Sequence, residues 1–233
     1  GLYAITGKEL GVYKAYTSQR DPEGHVIVDD KGLPLKSTEQ EIVGSMNYKY
    51  QMGFTNTIKY KDFSLAFDID VRHGGKMYSQ TNSLMKFTGN GIETAYNNRN
   101  PWIVPNSVKR VTNADGSVSY VENTTALSAT DIYNYWNNGG LNLDADYLVS
   151  KSYVKLRSVV FSWNLPKQWL AHTFLTGVTL SLYGNNLLMW TPSSNVYIDP
   201  EVSTFGNDLE GNFGEYGATP STRRYGFNVN VKF

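Results

Sequence analysis

Tyr225-Gly226-Phe227-Asn228-Val229-Asn230-Val231-Lys232-Phe233 alternates apolar and polar residues without a slip. Side chains of a strand point alternately to its two faces. Tyr225, Phe227, Val229, Val231 and Phe233 therefore share one face, and Gly226, Asn228, Asn230 and Lys232 share the other. One face calls for apolar surroundings and the other for water. A half-buried strand of a soluble protein can carry this pattern. A chain that ends on it, with an aromatic residue last, is what is expected where an outer-membrane barrel closes its cylinder, and the same alternating residues are then the expected assembly signal. The fold turns on whether earlier stretches share this character.

Composition leans toward strands. Charged residues make up only 18% of the 233 and aromatics 14%, with 17 Tyr and 21 Gly, a mixture that favours strands and turns over helices. Formal net charge is zero and no block of like charge occurs, so the electrostatic footprint of a nucleic-acid binder is missing. The absence of Cys excludes disulfides and thiolate metal sites. Gly1-Leu2-Tyr3-Ala4 has no signal-peptide character, and the expectation is a cytosolic protein or a piece of something longer. No apolar run of about 18 residues suggests a membrane-spanning helix. That leaves a membrane barrel open, because its strands are only half apolar.

Along the chain, residues 1 to 45 read as loop-rich, with turn signals flanking His25-Val26-Ile27-Val28 and suggesting a small hairpin there. From Tyr48 the alternation becomes sustained. Tyr48, Tyr50, Met52, Phe54, Ile58 and Tyr60 share one face, and after the tight turn Lys61-Asp62 so do Phe63, Leu65, Phe67, Ile69 and Val71. Each arm of this hairpin is long enough to cross a bilayer, which takes about 9 to 11 tilted residues. Aromatics crowd both ends of the band, where interfacial girdles sit. Residues 74 to 152 form a long polar segment, with a small hairpin from Val108 to Val121 turning at Asn113-Ala114-Asp115-Gly116. A short helix is expected from Ser128 to Trp136, capped by Thr130. Strands return at Tyr153 to Leu165 and at Val178 to Asn185, followed by Asn186 to Trp190. A second long loop, residues 191 to 222, precedes the last strand. Connections thus alternate short and long, which is the asymmetry of a membrane barrel.

With these residues in view, the chain resembles the C-terminal part of SusC-like, TonB-dependent outer-membrane transporters. The hairpin from Phe54 to Leu65 with Gly74-Gly75-Lys76-Met77-Tyr78, then Trp102-Ile103-Val104-Pro105-Asn106-Ser107-Val108, Tyr153 to Pro166, Leu182-Tyr183-Gly184-Asn185-Asn186-Leu187, Asp199-Pro200-Glu201 and the closing strand are similar to family segments in the same order. The resemblance implies an all-β fold, a transmembrane barrel of about 22 antiparallel strands with long extracellular loops. It implies an N-terminal plug, a SusD-like surface lipoprotein as lid, TonB as the energy source, and import of a glycan or a peptide across the outer membrane. Residues 1 to 233 would be the C-terminal portion of that barrel, its plug and earlier strands lying outside this chain. About five strands cannot close a barrel, and open edges are forbidden in lipid, so these must pair with a missing remainder.

Candidate residues follow from chemistry. Trp102, Tyr133, Tyr135, Trp136, Asn137, Asn138, Trp190 and Tyr197 are loop residues of types that stack on sugars and bond hydroxyls, so they are candidate substrate contacts, with packing between loops as the plainer reading. Asp68, Asp70 and Arg72 point to the wet face and are expected as lumen charges. His25, His73 and His172 are too isolated to suggest a metal site. Asp144-Ala145-Asp146 and Asp199-Pro200-Glu201 lack the spacing of a calcium loop, and the second reads as a turn. No catalytic motif appears, so neither catalytic residues nor a cofactor are expected. The rival is a soluble all-β carbohydrate-binding module, in which one face of each strand packs on a second sheet.

Overall fold

A computed structural model describes residues 1–137, 143–204 and 213–233. In chain order its strands are β1 (Leu2–Tyr3), β2 (Val12–Ala15), β3 (Val26–Val28), β4 (Glu41–Ser45), β5 (Tyr50–Tyr60), β6 (Phe63–His73), β7 (Lys76–Ser79), β8 (Ser107–Thr112), β9 (Val118–Glu122), β10 (Leu148–Ser150), β11 (Tyr153–Asn164), β12 (Gly177–Trp190), β13 (Gly214–Glu215) and β14 (Arg224–Lys232). Its α-helices are short: α1 (Gln80–Phe87), α2 (Ala129–Trp136) and α3 (Lys167–Leu170). The fold is all-β, as composition and alternation indicate.

The chain divides into two units. The sheet unit, Asn47–Gly75, Ser150–Val202 and Thr219–Phe233, holds one antiparallel sheet in the order β14-β12-β11-β6-β5. Its register lines up one apolar row across all five strands, Ile58, Leu65, Phe161, Leu182 and Phe227. The neighbouring row on the opposite face is polar, with Lys59, Ser64, Ser162, Ser181 and Asn228 in line, and the Ser162 and Ser181 hydroxyls are 2.8 Å apart. A period-two sequence in matched register gives this result, because each row inherits the face of its members. Large apolar side chains on this sheet stay exposed, Leu182 at 64% and Phe227 at 76%. Among the described residues of the unit no second sheet covers either face, so the packing that a soluble sandwich requires is not observed.

The two ends of the sheet differ. Trp163 pairs with Phe63, and the Asn164 N–H donates to the Asp62 carbonyl at 2.8 Å, so the Lys61–Asp62 turn and the connection 165–176 share one end. Long connections leave from the other, where Tyr50 opposes His73 and Val154 opposes Trp190. This arrangement matches the alternation of connection lengths in the sequence.

One irregularity shapes the loop end. Between Leu156, opposite Ile69, and Ser158, opposite Asp68, β11 carries an extra residue, Arg157. Such a bulge re-aims side chains. Apolar alternation therefore stays clean from Val159 onward, while Tyr153, Lys155 and Arg157 all reach partners on the polar face. On β12 the same irregularity falls at Asn186, which has a positive φ of 52°, and the expected strand and its follow-on prove to be one strand.

The loop-rich unit, Gly1–Met46, Lys76–Val149 and Ser203–Ala218, holds three small sheets and a core of Val28, Trp102, Val104, Leu127 and Ile132. The hairpin expected at Val108 to Val121 is present as β8 and β9, with Gly116 at a positive φ in its turn. Two expectations need correction, and one helix was not expected at all. Val26–Val28 does turn back over residues 29–32, with an antiparallel bridge from Val28 to Pro34 and the Leu35 N–H donating to the Ile27 carbonyl at 2.9 Å, but its longer ladder is with the distant β8, in parallel. α2 is capped by Ser128, whose side chain accepts the Asp131 N–H; Thr130 already lies inside the helix, where it has no cap to make. The sequence also showed no sign of α1. Its N-cap is Ser79, and the buried Glu215 carboxylate accepts from Ser79 Oγ at 2.6 Å and Thr81 N at 2.9 Å. An anion at a helix N-terminus is favourable, and this one arrives from a residue far along the chain.

Candidate functional site

The charged cluster of the sheet unit forms at the loop end of its polar face. β6 contributes Asp70 and Arg72, β11 contributes Tyr153, Lys155 and Arg157, and the connection after β12 contributes Asp199, Glu201 and Ser221. Lys155 is only 2% exposed, and its Nζ donates to Glu201 Oε2 at 2.7 Å, Ser221 Oγ at 3.0 Å and Asp199 Oδ2 at 3.2 Å. Arg157 reaches Glu201 with both terminal nitrogens, Nη1 at 2.7 Å, and Nη2 also donates to Asp70. The Tyr153 hydroxyl lies 2.6 Å from Glu201 Oε1 and 3.1 Å from Asp70 Oδ2, and with one proton it can donate to only one of them. Arg72 lies within 4 Å of both carboxylates, and its guanidinium sits over the Tyr48 and Tyr153 rings.

Three cations thus face three carboxylates, which is how buried charge is tolerated. Around Asp199-Pro200-Glu201 the chain makes the expected turn: the Val202 N–H donates to the Asp199 carbonyl, and Asp199 Oδ1 accepts the Glu201 N–H. Burial pushes the Glu201 carboxyl up, but hydrogen bonds from Arg157, Lys155 and Tyr153 outweigh it and hold the pKa down at about 2. Burial likewise opposes, and Ser221, the Glu201 N–H and Lys155 reverse, the shift at Asp199, which lies below the usual carboxylate range. Carboxylates held this strongly ionised and already engaged by cations are poor proton carriers. What the cluster does is tie the connection after β12 to the ends of β6 and β11.

Of the expected lumen charges, Asp70 and Arg72 join this cluster, whereas Asp68 accepts from Ser158 at 2.5 Å one step further down the same face. The sequence reading missed Tyr153, Lys155 and Arg157. Their equal spacing at the head of a strand was the signal, obscured by the bulge.

The candidate contact residues fall in both units. In the loop-rich unit Trp102 is buried, with Tyr135 and Trp136 packed around it at ring distances of 4.9 and 6.3 Å. Tyr135 and Trp136 also line a cleft of about 580 Å³, together with Arg20, Asp29, Lys86 and Asp146. Tyr133 is exposed beside Phe87, and Asn137 is the C-cap of α2. Asn138 lies outside the described residues. In the sheet unit Trp190 is opposite Val154 on the apolar face, and Tyr197 is half-buried in the connection after β12. Tyr225, Phe227, Val229 and Val231 share that apolar face and are exposed, as is Phe233.

Among the described residues one group combines metal-ligand types, Asp21, Glu23 and His25, with ligand atoms within 4.8 Å of one another. His25 Nδ1 is 2.8 Å from Asp21 Oδ2, and Asp21 Oδ1 accepts the N–H groups of Glu23 and His25, so the turn closes on itself.

Comparisons with known proteins point to one class. No family model matches the chain. Two curated relatives from Formosa agariphila are similar to it: TonB-dependent receptor P3, 27% identical over 219 residues, and TonB-dependent receptor P26, 26% identical over 238 residues. They match 91% and 97% of this chain but 19% and 22% of their own length, so the chain spans about a fifth of the curated relatives it matches. Among solved structures, the RagAB peptide importer in its closed-closed state shares the fold with a TM-score of 0.57 and 18% identity, over 99% of this chain and 25% of that one. The open-open state gives 0.56 and 15%, over 99% and 24%. The resemblance read from the sequence holds at the level these relatives show: the chain is similar to a part of TonB-dependent receptors.

Proposed function

We propose that this chain is a section of the barrel wall of a TonB-dependent outer-membrane importer, and that its loop-rich unit shapes the outer vestibule. The observation that carries this reading is the five-stranded sheet with one continuous, exposed apolar face. Its strands run 11, 11, 12, 14 and 9 residues, the length a tilted strand needs to cross hydrocarbon, about 9 to 11 residues. Among the described residues neither outer strand, β5 or β14, has a partner on its far edge, which a barrel would satisfy with its remaining strands. The long connections leave from one end, the extracellular end in such barrels.

In this reading the polar face lines the lumen, and the cluster around Lys155 and Glu201 holds the connection after β12 at the mouth. The substrate is a nutrient, a glycan or a peptide. A SusD-like lipoprotein closes the vestibule, and TonB acts through the part of the transporter outside this chain. Support comes from the relatives' names and from the shared fold. The test is expression of residues 1–233 alone. Aggregation in buffer, with recovery only in detergent beside the remaining strands, is the expected result. A monodisperse soluble protein without detergent would overturn the reading.

A further inference from the structure

The cleft of the loop-rich unit, about 580 Å³, is lined by four charged side chains of both signs, Arg20, Lys86, Asp29 and Asp146. Pockets for small ligands take about 300–1,000 Å³. Among the described residues no ion pair joins any of the four to one another or to another group. Their hydrogen bonds go to backbone instead. Arg20 Nη1 donates to the Gly24 carbonyl at 2.7 Å, and Lys86 Nζ donates to the Asp146 carbonyl at 3.0 Å. Asp29 Oδ1 accepts the N–H groups of Lys31 and Leu33 at 2.8 and 2.9 Å. Loss of water around Asp146 pushes its carboxyl up, against the pull of Lys86 and Arg20. A carboxylate so placed gains from any cation that a ligand brings.

The balance of charge narrows the ligand. A neutral sugar would strip water from all four charges and return no opposite charge, which costs binding energy. A polyanion would set like charge against Asp29 and Asp146. A zwitterion meets both signs. The rest of the lining agrees, since Leu33 and Val104 share the cleft with the half-buried Tyr135 and Trp136. A sugar stacks on an open ring face, but here Tyr135 stands at 83° to Trp102 and at 90° to Trp136, so ring edges cover ring faces.

We propose that this cleft takes a short peptide, its carboxylate held by Arg20 and Lys86 and its ammonium group by Asp146 and Asp29, with an apolar side chain against Tyr135 and Trp136. The inference rests on the importer reading and narrows its cargo from a glycan or a peptide to a peptide.

The test passes a mixed tripeptide library with free termini and uncharged side chains over the immobilised parent transporter in detergent. Retained peptides are measured by mass spectrometry. The same library N-acetylated, the same library C-amidated and a neutral maltodextrin mixture run beside it. Retention of the free library is expected to exceed that of either capped library about tenfold or more, the size of one charge-assisted hydrogen bond. Asp146→Asn is expected to reduce the discrimination against N-acetylation, and Arg20→Gln that against C-amidation. Equal retention of free and capped libraries, preference for maltodextrin, no retention of any peptide, or discrimination unchanged in both variants would overturn the peptide cleft. Recovery of the parent from outer membranes, as a barrel whose gel mobility shifts on heating, keeps the importer reading in place in each of those cases. Recovery in the soluble fraction without detergent would instead overturn the importer reading, and with it the peptide as cargo. Should a variant not assemble, the comparison of free with capped peptides on the native transporter decides alone.

Discussion

Lys155 Nζ lies 2.7 Å from Glu201 Oε2, joining a strand of the sheet to a turn 46 residues later. Both lie in stretches that resemble family segments, Tyr153 to Pro166 and Asp199-Pro200-Glu201, and between them they anchor the connection that follows β12.

Removing one partner of a buried pair exposes its cost. Lys155→Met leaves the buried Asp199 and the partly buried Glu201 with one cation fewer, and should lower stability by about 3–5 kcal/mol. The urea midpoint of the purified parent barrel, followed by tryptophan fluorescence, checks it. A midpoint equal to the native one would mean that the cluster contributes no net stability.

Acid should loosen the same connection. The folded-state pKa of Glu201 is held at about 2, below its ordinary value of 4.5, so its contribution is complete above pH 4.5 and is lost as the pH falls toward 2. The size is on the order of 3 kcal/mol. Hydrogen exchange of residues 195–204 should speed up across that window, and Glu201→Gln should remove most of the dependence. Equal pH profiles for native and variant would assign the effect to other carboxylates.

Gly214 pairs in parallel with Tyr78, and a Cβ at Gly214 would sit 2.3 Å from the Tyr78 carbonyl oxygen. Gly214→Ala must push backbone against backbone and should cost about 1–3 kcal/mol, by analogy with overpacking. Amide exchange of β7 is the measurement. Unchanged protection there would show that the two strands separate without penalty.

Leu182 sits mid-row on the exposed apolar face. On a soluble surface Leu182→Arg would be nearly neutral. At the bilayer midplane it should cost about 2–4 kcal/mol. Reversible urea unfolding in lipid vesicles distinguishes the two, and a loss below about 0.5 kcal/mol would count against lipid contact.

How much of this the sequence carried differs from element to element. β5, β6 and the later part of β11 were legible because a strand's two faces are written locally, residue by residue, as a period of two. The hairpin at Asn113 to Gly116 was legible from turn chemistry. α1 was not, since its N-terminus is completed by Glu215, and β3 was legible only in part because its longer ladder is with a parallel strand far along the chain.

What the sequence determined by itself is the all-β character, the sidedness of β5, β6, β14, most of β12 and the later part of β11, and the short-and-long order of the connections. All three rest on interactions between near neighbours. Only the tertiary structure decided that Arg157 is a bulge, that Asp70, Arg72, Lys155, Arg157, Asp199 and Glu201 neutralise one another, and that Trp102, Tyr135 and Trp136 pack together in the loop-rich unit. Those outcomes depend on strand register and on contacts across tens of residues. Alternation along a single strand holds no record of either.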